Sequence, residues 1–141
     1  MSGTITTPTA PHYEATTRNL TVKVRPKYLP DQSEPQARRW VWSYAIDIEN
    51  RGAETVQLLT RQWTITDGRG RVEEVTGPGV VGDQPTLHPG ERYSYTSGCP
   101  LPTNSGVMVG VYGMITEGGE PFDIAIPAFS LDMPGERRVM N

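Results

Sequence analysis

The chain has 141 residues, with 13 Lys and Arg against 16 Asp and Glu, for a formal net charge of -3. One domain is expected at that length, with enough chain to bury a core of its own. The acidic balance excludes a general nucleic-acid binder, which needs a basic face to displace counterions, and a single cysteine, Cys99, excludes an intramolecular disulfide.

Residues 1–12 are rich in Thr and Pro and poor in apolar mass, so a flexible arm is expected there. The start, Met1 to Thr6, has neither the basic nor the apolar region of a secretion signal. Leu20, Val22 and Val24 alternate with Thr21, Lys23 and Arg25, which predicts a half-buried strand. Pro26 to Arg39 contains three prolines and reads as a long loop. The next strand is the clearest: Trp40, Trp42, Tyr44, Ile46 and Ile48 alternate with Val41, Ser43, Ala45, Asp47 and Glu49. A helix would scatter those five large side chains around its circumference.

Asn50-Arg51-Gly52 is a turn, and Thr55 to Asp67 a second long strand. Its period slips at Leu58-Leu59, where a β-bulge would re-aim Arg61, Trp63 and Ile65. Asp67-Gly68-Arg69-Gly70 turns the chain into Val72 to Val75. Pro89-Gly90 is a further turn, Arg92 to Ser97 a strand, and Cys99 to Gly106 a loop. The longest nearly apolar run, Val107 to Ile115, has nine residues and two glycines. It suits a strand and is too short to cross a bilayer as a helix. Phe122, Ile124 and Ile126 follow, with Phe129 and Leu131 closing the core; residues 133–141 are expected to form a flexible tail.

These elements predict an all-β fold in one domain over residues 13–132, an antiparallel β-sandwich of seven or eight strands. A small barrel is the alternative. With one thiol and no signal for export or membrane insertion, a cytoplasmic protein without a membrane partner is expected.

Gly77–Gly82, GPGVVG, fits the phosphate-loop pattern G-x-G-x-x-G. In a dinucleotide fold that loop opens a helix whose N–H groups hold a pyrophosphate. Here it runs into Asp83-Gln84-Pro85-Thr86 with no helical pattern behind it. Pro78 offers no N–H, and no lysine lies in or just after the loop. A tight connection between strands is the simpler reading, with Gly77, Gly79 and Gly82 as the candidates for any nucleotide contact.

Other chemistry is sparse. Glu73, Glu74, Asp83, Glu91 and His88 are the groups with the chemistry for a magnesium or cobalt site. Glu73 and Glu74 are neighbours in a strand and point to opposite faces, so no metal site and no cofactor are expected. His12 and His88 lie in no nucleophile motif, and Cys99 has no activating base in view. No catalytic residue is assigned, and Asp67 has a local role as a turn former. Trp40, Trp42 and Tyr44 read as a core face rather than a binding platform; Tyr93 and Tyr95 leave the same choice open, with Arg61 and Arg92 near them. Recognition on a sandwich is carried by loops. Val80, Val81, Asp83 and Gln84 are therefore the candidate partner contacts, with burial of the two valines under the sheets as the alternative.

The run VQLLTRQWTITDGRGRVEEVTGPGVVGDQPTLHPGERYSYTSG, Val56 to Gly98, closely resembles the bacterial ApaG proteins, as do GVMVGVYGMI (Gly106–Ile115) and PFDIAIPAFSL (Pro121–Leu131). The resemblance implies a fibronectin type III-like, immunoglobulin-like sandwich with no established enzymatic activity. Related domains in larger eukaryotic proteins imply protein–protein interaction, here with an unidentified protein partner. The family's alternative name, CorD, implies an indirect link to magnesium and cobalt homeostasis. Its genes often neighbour a diadenosine tetraphosphate hydrolase, which keeps open weak binding of a pyrophosphate-containing nucleotide through the glycine loop.

Overall fold

The computed structural model describes residues 12–134. The strands are β1 (Tyr13–Thr17), β2 (Leu20–Tyr28), β3 (Trp40–Asn50), β4 (Val56–Asp67), β5 (Val72–Pro78), β6 (Thr86–Leu87), β7 (Arg92–Leu101), β8 (Gly106–Thr116) and β9 (Pro121–Leu131). They pair into two antiparallel sheets, β1-β2-β3-β7 and β5-β4-β8-β9, with β6 added to the start of β4. The β-sandwich expected from the strand pattern is the fold observed.

Two-residue alternation sets the inner faces. Val22 and Val24 of β2 pair with Ile48 and Ile46 of β3, and all four are buried. Trp42 and Tyr44 continue that row, and Tyr44 meets Trp63 and Phe129 of the opposite sheet; Tyr44 and Trp63 lie edge to face with ring centroids 5.4 Å apart. Burying each such side chain contributes about 1.5–3 kcal/mol, so this aromatic cluster is the core that the alternation of β3 predicts.

Two bulges keep the second sheet in phase with the core. One lies at Leu58/Thr60, leaving Leu59 out of the β4–β8 pairing where the apolar period slips. The other separates Ile126 from Phe129 opposite Met108 and Gly110, so Ile124, Ile126, Phe129 and Leu131 all face inward despite the change from even to odd positions.

One long side of the sandwich is closed by side chains. Thr17 Oγ1 accepts from the Ala125 amide at 3.1 Å, the Tyr13 hydroxyl from the Ser130 amide at 3.4 Å, and Arg18 binds Glu120 at 3.0 Å. On the other long side, β7 borders the first sheet and β5 the second.

The structure corrects several boundaries. There are nine strands rather than seven or eight, because β1 and the two-residue β6 are additional. β2 continues through Pro26 to Tyr28, and the loop expected at Pro26–Arg39 shortens to two 3-10 turns, Pro30–Gln32 and Pro35–Ala37, and their flanks. β7 continues through Cys99 to Leu101, part of the expected loop. The terminal segments expected at 1–12 and 133–141 lie, except for His12, Met133 and Pro134, outside the described residues.

Candidate functional site

The glycine-rich segment begins inside a strand. Gly77 and Pro78 belong to β5, where they pair with Arg61 and Thr60 of β4. Only then does the chain leave the sheet, bending at Gly79 with φ +62°. The bulged residue Leu59 anchors the bend: its carbonyl accepts from the Gly79 amide at 2.8 Å and from Gln84 Nε2 at 2.9 Å. Val80 and Asp83 exchange two backbone hydrogen bonds of 2.8 Å, leaving Val81 and Gly82 as a two-residue tip with φ +41° and +86°. That is a type I′ geometry, which favours Asn and Gly. A β-branched residue there is strained, at a cost of order 1–3 kcal/mol.

The two valines part company. Val80 is 1% exposed and belongs to the core, whereas Val81 is 55% exposed at the tip. Val80 is therefore corrected from a candidate contact to a core residue, because the turn that presents Val81 points its predecessor under the sheets. Asp83 and Gln84 are also held locally: Asp83 Oδ2 accepts from the Tyr93 hydroxyl at 2.7 Å, and the Gln84 carbonyl accepts from Gln57 Nε2 at 3.0 Å.

Beneath the loop lies Arg61. Its Nη1 donates to the carbonyls of Pro78 and Gly79, both at 2.9 Å. The guanidinium packs on Gly77, where a Cβ would meet Nη2 at 3.0 Å. Arg61 makes no ion pair among the described residues. Its field reaches three phenols behind it, those of Tyr44, Tyr95 and Tyr112. The hydroxyls of Tyr95 and Tyr112 join the two sheets through a 2.5 Å hydrogen bond. Burial pushes the titration of Tyr44, Tyr95 and Tyr112 upward, and Arg61 opposes that shift in each. The phenols are therefore neutral donors and acceptors near neutral pH.

This geometry bears on the phosphate pattern. A phosphate cradle turns consecutive amides outward. Here the Gly79 and Val80 amides are bound to Leu59 and Asp83, and the carbonyls of residues 78 and 79 face the arginine. The positive group near the loop is Arg61, brought by β4 from 16 positions before Gly77. A search for lysine along the loop misses it; the signal is the cross-strand register, which only pairing reveals.

The remaining candidates are dispersed. Among the described residues, no three His, Cys, Asp or Glu side chains gather as metal ligands. His88 Nδ1 lies 2.9 Å from Glu91 Oε1, which also accepts from the His88 amide and is held below the usual carboxylate range mainly by that bond. Asp67 Oδ1 accepts from the amides of Arg69 and Arg71 at 2.8 and 3.0 Å, as a turn former does. Cys99 is buried, and burial pushes its thiol up to about 11. Trp42 is buried and donates from Nε1 to the Asp132 carbonyl at 2.7 Å. No helix among the described residues is long and apolar enough to cross a membrane.

The likenesses to known proteins are extensive. Residues 30–116 match the model of the ApaG domain. The chain is 65% identical over 129 residues to Protein ApaG of Mesorhizobium japonicum and 62% identical to Protein ApaG of Rhodospirillum centenum. In both cases 92% of this chain and 99% of the relative are covered. The crystal structure of a Bordetella pertussis protein named ApaA superposes with a TM-score of 0.80 at 47% identity, covering 92% of this chain and all of the other. The matched span contains the glycine loop, Arg61 and the phenols of Tyr44, Tyr95 and Tyr112. The chain belongs to the ApaG family.

Proposed function

We propose that the protein is a non-catalytic interaction module that presents the loop of residues 79–84 to a protein partner. The observation that carries this reading is Val81: an exposed, β-branched residue held at positive φ on a loop that is otherwise tied down. Strain retained at a rigid, exposed apolar tip supports a role in recognition. Asp83 and Gln84 flank the tip and supply polar contacts; Val80 supports it from below. The cation link is read as indirect, acting through the partner. The cytoplasm is the compartment that suits the single neutral thiol.

Affinity capture with the wild-type chain, followed by reconstitution with the purified partner, tests the proposal. Val81→Asp should weaken binding at least ~10-fold, the effect expected when an apolar contact is replaced by a charge, with an unchanged fold. Equal binding by Val81→Asp and wild type would overturn the loop assignment.

A second reading rests on Arg61, a half-buried guanidinium without a carboxylate partner among the described residues. An anion such as the pyrophosphate of diadenosine tetraphosphate would complement it. Weak binding is expected, since two carbonyls already occupy Nη1. Calorimetry with that nucleotide, with and without magnesium, should give heat that Arg61→Ala abolishes; no heat at millimolar ligand rejects it.

A further inference from the structure

The outer faces of the two sheets differ in kind. On the first sheet, β2 presents Lys23 and Arg25, β3 presents Asp47 and Glu49, and Arg92 of β7 lies 3.1 Å from Glu49 and 3.6 Å from Asp47. That is an ordinary solvated surface.

The second sheet presents threonine and valine. Four large apolar side chains are exposed among the described residues, and three of them lie here: Val72 at 60%, Val107 at 44% and Val109 at 40%. Register places them together. Thr66 of β4 sits between Val72 of β5 and Val107 of β8, and Thr64 pairs with Val109 one row along. Gln62 and Val111 form the third row. Across these rows Glu74, on the outermost strand, is the one charge on β5, β4 and β8.

We propose that this face associates with the same face of a second copy of the chain. Charge argues for self-association. A face whose one charge, Glu74, sits on its outermost strand offers little pattern to select a charged partner, and it meets its own copy with little like-charge repulsion. The contact has two-fold symmetry, with the sheets packed face to face as inside a sandwich. Four strands and three rows span roughly 20 Å by 20 Å, about 400 Å² per copy. A standard interface buries about 800 Å² per partner. The dimer is accordingly weak, with a dissociation constant of order 10⁻⁴ M. It is independent of the Val81 loop, which lies beyond the opposite end of β5 from Val72.

Sedimentation velocity between about 10 µM and 1 mM decides the matter, a range set by that expected affinity. The wild type should shift from monomer towards dimer. Val109→Lys and, separately, Val107→Lys should hold the monomer across the range, while circular dichroism and Tm report an intact fold. Val81→Lys and Arg25→Glu should associate as the wild type does. A wild type that stays monomeric at the upper concentration overturns the proposal. So does association that survives both valine substitutions, or that Arg25→Glu abolishes instead.

Discussion

The guanidinium of Arg61 fills the space that a side chain at Gly77 would need, and from there it holds the carbonyls of Pro78 and Gly79. The three glycines of the phosphate-like pattern thus serve three different ends. Gly77, without positive φ, makes room for a side chain; Gly79 combines positive φ with close approach to the Asp83 carbonyl; Gly82 has positive φ and open space around it. Alanine substitutions should separate them in urea denaturation. Gly79→Ala should cost about 3 kcal/mol, having strain and a backbone clash together. Gly82→Ala should cost about 1 kcal/mol for the left-handed backbone alone. Gly77→Ala should cost about 1 kcal/mol, since a guanidinium tip can shift, but it should also speed amide exchange at Gly79 and Val80.

Val81 is expected to reveal a conflict between stability and recognition. Val81→Gly relieves the positive φ at the first position of the type I′ tip and should stabilise the fold by about 0.5–1 kcal/mol. Under the proposed function the same change should weaken partner binding. A thermal melt paired with a binding isotherm on one preparation checks both directions.

Alkaline stability should be governed by the phenols between the sheets. Tyr95 and Tyr112 titrate above their ordinary value because burial disfavours the phenolate. A raised folded pKa means that the native state keeps protons the unfolded chain releases. The stabilisation is whole below the unfolded value near 10 and is lost as pH rises towards the folded value. Absorbance near 295 nm should therefore show part of the tyrosine content ionising only as the protein unfolds. The paired change Tyr95→Phe/Tyr112→Phe should delay alkaline unfolding to higher pH, removing both partners so that neither hydroxyl is orphaned.

Acid stability follows the opposite sign. Glu49, Glu91 and Glu120 are held below the usual carboxylate range, chiefly by hydrogen bonds from Arg51, the His88 amide and Arg18 respectively. Their contribution is present above an unfolded value near 4.3 and is lost as pH falls through the lower folded values. The urea midpoint should drop across that window. Glu120→Gln should flatten the drop at low salt and have less effect at about 0.5 M salt, because an exposed ion pair is screened. Glu91→Gln should flatten it at both, its largest partner being a neutral amide.

What the sequence made legible was everything carried by alternation. The inner face of β3, the slip at Leu58-Leu59 and the Asp67 turn all stood in the order of residues. The prolines misled for a shared reason. Pro26 lies on β2 beyond Leu20–Val24, the stretch that pairs with β1, and Pro100 lies on β7, the border of its sheet. At each position one flank of the strand has no neighbour to receive an N–H, so proline costs no ladder hydrogen bond. β1 was hidden by its turn: Arg18 and Asn19 both take positive φ, and arginine is not a residue that marks such a bend. The candidate site was half visible. The loop could be read from its glycines, but the arginine beneath it depends on a register that no local pattern encodes.

Thr17 and Tyr13 bind one border of the sandwich as stitching binds a book along its spine. The glycine loop, Arg61 and the joined hydroxyls of Tyr95 and Tyr112 then lie towards the fore-edge, where the covers would part. Asp83, two residues past Val81, accepts from Tyr93 of the opposite sheet, so the loop that presents Val81 also helps to keep the two sheets shut.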